Sequence, residues 1–344
     1  MKPTFHASPV NGPFEDPCVF AGIIREKRAL LFDAGDMGRL GLGNLLKISD
    51  IFITHTHIDH FIGFDTILRG ILRKDEPLRI FGPENIIECV RGKLMGYTWN
   101  LIKDYPLKIE VYGIKDNSIS HSSFYAENSF KGFSNPELKF NGTLIEEPLF
   151  KVRGLQLSHD IPVMAYSLEE EFHINIDKAM LGEMGLPVGP WLSNFKRTIR
   201  ANYDLKVTDR ASGSINLELK SADSLLPVFE IEGESYHLNE LMKIVTITKG
   251  QKVAYLTDIS PTEENIERAI SFVKDADMLF CEAYFLDRDR DRAIERHHLT
   301  AAVSGKIALK ARVGNLTLMH FSPKYRDCSD EIYREAMNVF KGAP

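Results

Sequence analysis

The chain has 344 residues, 44% of them hydrophobic and 26% charged, with a formal net charge of −6. That composition suits a folded protein with a sizeable core and excludes wholesale disorder, while leaving room for a local basic patch. The opening MKPTFHASPV lacks the apolar run of a secretion signal, no stretch approaches the roughly 18 apolar residues of a membrane span, and the four cysteines (Cys18, Cys89, Cys281, Cys328) are scattered. These features predict reduced thiols, a cytoplasmic setting and no membrane partner.

In chain order, Ala29–Phe32 reads as a strand running into Asp33-Ala34-Gly35, and 51–54 (IFIT) as another that stops at a group of histidines. Residues 78–81 (LRIF) end at Gly82-Pro83 and precede a helical pattern over 85–94. From 169 to 249 the sequence is richer in charge, Gly, Pro and Ser and its periodicity is weak. We read 1–344 as one domain with 169–249 inserted in it, the alternative being a loosely built second domain. The strand-and-loop pattern resumes at 253–256 (VAYL) entering Thr257-Asp258, 277–280 (DMLF) entering Cys281-Glu282, and 316–319 (LTLM) entering His320. Strand, polar loop and helix in alternation predict an α/β sandwich whose strand-end loops carry the chemistry.

Residues 54–61 read THTHIDHF. Histidine and carboxylate are ligands that borderline metals such as zinc prefer, and surface loops rarely gather His55, His57, Asp59 and His60 after one apolar strand. His55 and His57, two apart, can grip one ion; Asp59 and His60 can address a second, as paired sets in a two-metal site require. Four ligands are too few for two ions, so others must follow downstream. His159 in LQLSHDIP, Asp258 in VAYLTDIS and His320 in LTLMHFSP each follow an apolar run. With them the set closes: His55, His57 and His159 for one ion, Asp59, His60 and His320 for the other, and Asp258 bridging. His6, His121, His173 and His237 have no such context and read as surface or packing residues.

HxHxDH followed by single His, Asp and His resembles the metallo-β-lactamase superfamily, which implies an αβ/βα four-layer sandwich with a dinuclear site at its edge. Within it the chain looks most like the ribonuclease Z branch, endonucleases that trim the 3′ trailer of precursor tRNA. SHDIP (158–162), HFSPKY (320–325), Cys281-Glu282-Ala283 with His298-Leu299-Thr300, and MGLPVGP (184–190) carry that likeness. The chain departs from the branch's pattern at Cys281, at Leu299, in LTDIS around Asp258, and in its opening segment. The resemblance implies two divalent ions, zinc first with manganese or iron tolerated by the same ligands, and a homodimer. It further implies Asp59 as ligand and proton acceptor, and His298, oriented by Glu282, as proton donor; RHHLT alone does not choose between His297 and His298. Gly185, Pro187, Gly189 and Pro190 would form an RNA-contacting loop, with Lys196, Arg197 and Arg200 for phosphate and Trp191 or Phe195 for stacking. A hydrolase for small phosphodiesters on the same centre, and a non-catalytic metal-containing RNA-binding protein, are the alternatives.

Overall fold

The computed structural model describes residues 3–24, 26–209, 214–220 and 227–342. Residues 210–213 and 221–226 of the predicted insertion lie outside the described residues, as do the first two of the opening segment. The chain divides into two compact units, one comprising Met1–Leu144, Val152–Leu168 and Lys252–Pro344, the other Ile145–Lys151 and Glu169–Gln251.

The first unit is built on two sheets. Eight strands form one of them in unbroken chain order: Phe5–Pro9, Val19–Ile23, Ala29–Phe32, Ile48–Phe52, Leu78–Pro83, Lys108–Lys115, Ser118–Tyr125 and Gly132–Lys139. From Ala29–Phe32 to Lys108–Lys115 the pairing is parallel, as expected of strands separated by helices. The other sheet runs in the order Asn315–Met319, Met278–Glu282, Lys252–Leu256, Pro162–Glu169, Lys151–Ser158 and Thr143–Glu146. Its first two pairings are parallel.

The sheets face each other through aromatic side chains. Tyr166 packs on Phe52 with ring centroids 5.4 Å apart, and Tyr255 stacks on Phe32 at 5.8 Å. Both buried tyrosines satisfy their hydroxyls across the gap: Tyr166 donates to the Ile53 carbonyl at 2.6 Å, and Tyr255 to the Asp33 carboxylate at 2.8 Å. Outside the first sheet, helices Phe64–Ile71 and Ile86–Met95 bury Ile67, Leu68, Ile86 and Val90. Outside the second, helices Glu263–Phe272 and Ala301–Lys310 bury Ala269, Ile307 and Ala308. Helix, sheet, sheet and helix give the α/β sandwich that the sequence pattern predicts, in the four layers that the resemblance implies.

The second unit has its own core, in which Phe195, Ile199, Leu238, Leu241 and Ile244 are fully buried. Strands Phe172–Ile176 and Val245–Lys249 pair antiparallel within it. Helix Lys178–Glu183 is capped by the Asp177 carboxylate, which accepts from the Ala179 and Met180 amides, and it ends at Gly185 with φ of +68°. Helix Trp191–Asn202 follows the loop 184–190. Among the described residues no helix is long and apolar enough to cross a membrane.

Candidate metal centre

Parallel strands all present their carboxyl ends at one edge, where the following loops converge. Asp33 follows Ala29–Phe32, His55 follows Ile48–Phe52, Asp258 follows Lys252–Leu256, and His320 follows Asn315–Met319. Asp33, Asp258 and His320 have φ of 56°, 53° and 56°, the left-handed region that Asp and His tolerate better than most residues. That conformation breaks the strand abruptly and turns each side chain in toward the same spot.

All seven residues predicted from the sequence as ligands come together there. One ligand atom each from His55, His57, His159 and Asp258 lie within 4.8 Å of one another, and the same holds for Asp59, His60 and His320. Asp258 stands between the two groups: its Oδ2 is 3.3 Å from His55 Nε2 and 2.8 Å from His60 Nε2, and its Oδ1 is 2.7 Å from His320 Nδ1. Four free cysteines stand outside these groups.

The donors suit a divalent cation. His55 Nε2, His60 Nε2 and His320 Nδ1 are buried and crowd onto the one Asp258 carboxylate without a well-formed hydrogen bond, an expensive state for polar atoms that a cation among them would relieve. For His55, His60 and His159 a ring nitrogen is held from behind, as in imidazoles set to coordinate metal. His60 Nδ1 meets Asp33 Oδ2 at 2.8 Å, His159 Nδ1 meets the His297 carbonyl at 2.7 Å, and His55 Nδ1 lies 3.1 Å from the Thr54 hydroxyl.

The site's own charges and burial divide the histidines. Burial, with His60 nearby, drives His55 down to about 2, and burial also lowers His159. Burial opposes charge on His60 too, yet the Asp258 and Asp33 carboxylates outweigh it and raise that ring well above its ordinary value. His320 is likewise pushed up to about 9, Asp258 and Asp59 overcoming its burial. Asp258 itself is held well below the usual carboxylate range, because His320 and His60 outweigh its desolvation. Positive charge in the centre is therefore matched to carboxylates, and cations can take over that role.

Beside the ligands, His298 Nδ1 is 2.9 Å from Glu282 Oε2 and 3.5 Å from Asp258 Oδ1. Burial disfavours its charged form, but Glu282 and Asp258 push it up to about 10. Tyr284 stacks flat on its ring, centroids 4.0 Å apart. His297 behaves differently: its ring turns to the Ser260 hydroxyl at 3.2 Å, and its contribution to the centre is the carbonyl that holds His159. The pair RHHLT, ambiguous as sequence, is thus divided by the backbone, with His297 at φ of 60°. His57, Asp59, His159, Asp258, His298 and His320 open on a cavity of about 320 Å³ that Tyr284, Arg292 and Arg296 also line.

The substrate residues predicted in the second unit fare less evenly. Gly185, Pro187, Gly189 and Pro190 lie in the loop between helices Lys178–Glu183 and Trp191–Asn202, and Arg197 is exposed. Three expectations are corrected. Phe195 is fully buried, edge-on to Phe229, and offers no stacking face. Arg200 is drawn into an ion pair with buried Glu170 at 2.9 Å, and Lys196 Nζ donates to the Ile174 carbonyl at 2.5 Å. Both cations therefore serve that unit's interior, where a buried carboxylate and a carbonyl need partners. Trp191 is half-buried, its indole donating to the Pro187 carbonyl at 2.9 Å. His121 and His173 pair with Glu110 and Glu170, and His237 caps a short helix, so the packing roles expected of them hold.

Sequence reading assigned no part in the site to Asp33 and Tyr284. Asp33 is fully buried and accepts from the Thr54 amide, the Thr54 and Tyr255 hydroxyls and His60. Asp at the end of a strand before Ala-Gly looks like an ordinary turn residue; only the polar residues at the neighbouring strand ends hint otherwise.

No protein-family model matches the chain. Ribonuclease Z of Deinococcus radiodurans is 26% identical over 319 residues, covering 91% of this chain and 88% of that protein. Ribonuclease Z of Nanoarchaeum equitans is 28% identical over 321 residues, covering 90% and 80%. Among solved structures, the metallo-β-lactamase fold protein YhfI from Bacillus subtilis superposes with a TM-score of 0.53 at 16% identity, over 97% of this chain and 92% of that one. The chain therefore has the metallo-β-lactamase fold and, over nine-tenths of its length, resembles ribonuclease Z.

Proposed function

We propose that the chain is a metal-dependent endoribonuclease of the ribonuclease Z type, acting in the cytoplasm on the 3′ trailer of precursor tRNA. The observation that carries this reading is the convergence of two ligand groups about one shared carboxylate, Asp258, with the Glu282–His298 pair alongside. Relatives named ribonuclease Z, similar along most of both chains, supply the substrate. Two divalent ions, zinc first, held by His55, His57, His159 and by Asp59, His60, His320 with Asp258 between, would supply an activated water and neutralise phosphate charge.

The chain's own residues do the rest. Asp59, whose carboxylate is partly exposed to the cavity and 3.3 Å from His320, is placed to take a proton from the attacking water. His298, held protonated by Glu282 and stacked on Tyr284, gives a proton to the leaving 3′ oxygen. The segment 169–249 acts as an inserted arm, with the loop 184–190 and Arg197 offered to RNA, and the protein works as a homodimer. The test is incubation of the zinc- or manganese-loaded protein with a precursor tRNA bearing a 3′ trailer. Release of the trailer is expected; strong turnover of bis(p-nitrophenyl) phosphate with no tRNA cleavage would transfer the centre to small phosphodiesters.

A further inference from the structure

Residues 287–298 read DRDRDRAIERHH, and the four arginines among them divide sharply by surroundings. Arg288 pairs with Glu331 at 2.5 Å and Arg290 with Asp287 at 2.9 Å, both on the exposed surface. Arg292 and Arg296 have no carboxylate partner among the described residues, and both line the cavity that holds the metal-ligand cluster. They are four apart across helix Arg290–Glu295 and its C-cap, so their side chains share one face, whereas the adjacent acids Asp291 and Glu295 are exposed and do not line the cavity. The commonplace account of an exposed arginine is a solvated charge worth little. A cation at a helix C-terminus would explain Arg296 alone. Neither explains why the two unpaired arginines of the four are the two that face the centre.

From this arrangement we infer that Arg292 and Arg296 form a phosphate clamp on the rim of the metal cavity, gripping the backbone phosphates that flank the scissile one. The inference rests on the reading of the site as a polynucleotide hydrolase. Metal ions held at the ligand groups would neutralise only the reacting phosphate; neighbouring phosphates in a polymer need counter-charge of their own. Guanidinium supplies it with paired N–H donors that match phosphate oxygens, and its charge does not titrate away. The clamp is also rigidly tied to the chemistry. Within two residues of Arg296 the same stretch provides the His297 carbonyl that orients His159 and the His298 ring that faces Asp258. A phosphate held by Arg296 is therefore held in register with the proton donor.

The test uses the full-length, metal-loaded protein and its Arg292→Gln, Arg296→Gln and double variants, with bound metal and thermal midpoint as controls for folding. Cleavage of a precursor tRNA and of bis(p-nitrophenyl) phosphate, which has one phosphate only, is followed across a series of salt concentrations. Each substitution should raise the KM for tRNA about three- to tenfold with a much smaller change in kcat, and should flatten the log kcat/KM against log salt slope by about 1. Selectivity for tRNA over the small diester should fall about tenfold or more in the double variant, and Arg→Lys should restore part of it. An unchanged salt slope, or equal losses on both substrates, would overturn the clamp. Wild-type protein that turns over the small diester but cleaves no tRNA would instead overturn the reading on which the clamp rests.

Discussion

Asp33, His297 and His298 show how much a single residue contributes at this centre without touching the same atoms. Asp33 gathers four donors at one buried carboxylate, and one of them is the Nδ1 of His60. Asp33→Asn keeps the size but offers one acceptor oxygen and an unwanted pair of donors. Its expected effect is a 10- to 100-fold weaker hold on the ion shared by Asp59, His60 and His320. Competition with a chromophoric chelator measures this, and unchanged affinity for both ions would remove Asp33 from the site. For the two histidines, the geometry predicts opposite outcomes. His298→Ala should lose about 10²–10⁴-fold in kcat while keeping its metal, since a positioned acid contributes that much. His297→Ala should stay within a few-fold of wild type, because its part is played by a backbone carbonyl. Equal losses in the two variants would mean that the proton donor has been misassigned.

At the scale of elements, the centre depends on how closely two turns approach. The turn after Ala29–Phe32 clamps the short helix Ile58–Phe61: the Ala34 amide donates to the His60 carbonyl at 2.9 Å, and the Gly63 amide to the Ala34 carbonyl at 2.8 Å. A Cβ on Gly63 would sit 2.0 Å from the Gly35 carbonyl oxygen, and one on Gly35 would sit 2.8 Å from that of Asp59. Backbone cannot yield as a flexible side chain can. Gly63→Ala should therefore cost about 2–4 kcal/mol and displace the helix that carries Asp59 and His60. Chemical denaturation together with metal titration checks both effects; a variant with wild-type stability and two bound ions would show that the contact is not needed.

The same elements show what could be read in advance. Short apolar runs ending in Asp or His gave the parallel strands and their strand-end ligands, because a buried parallel strand must be apolar and its carboxyl end is where the chain can turn polar. Boundaries moved slightly, Ile48–Phe52 beginning before the IFIT run and stopping short of its end. The antiparallel strands from Lys108 to Lys139 passed unread, since sequences such as SISHSSFY carry little alternation. Lys196 and Arg200 misled for a different reason. Their partners, Ile174 and Glu170, are 22 and 30 residues away, and local sequence cannot say that a basic helix face is turned toward a buried carboxylate.

On the scale of the whole molecule, the proposed ligands come from positions 55 to 320, all in the first unit, so cations bound by them would cross-link distant parts of one chain. Metal bound there would contribute to stability, and the protonation of those residues would decide how much at each pH. Without cations, His320 and His298 are held, against their burial, up to about 9 and about 10 by neighbouring carboxylates. Groups raised in this way stabilise the fold fully below their unfolded value near 6.5, and that stabilisation is lost as pH rises through 9–10. His55, driven down to about 2 mainly by burial, stays neutral in the fold and so costs stability below about 6.5, where the unfolded chain would bind its proton. The metal-free protein should accordingly be most stable near neutrality and weaken toward pH 9–10. Zinc bound at the proposed centre would, by contrast, have to displace the protons of His60 and His320, so its apparent affinity should climb as pH rises toward that interval. The gap in thermal midpoint between zinc-loaded and EDTA-treated protein should widen steadily from pH 6 to 9, with proton release on zinc addition falling as it does. Differential scanning fluorimetry in matched buffers reads the gap and a pH indicator reads the release. A gap that stays flat over those three pH units would mean that the raised histidines are not the ones the metal displaces.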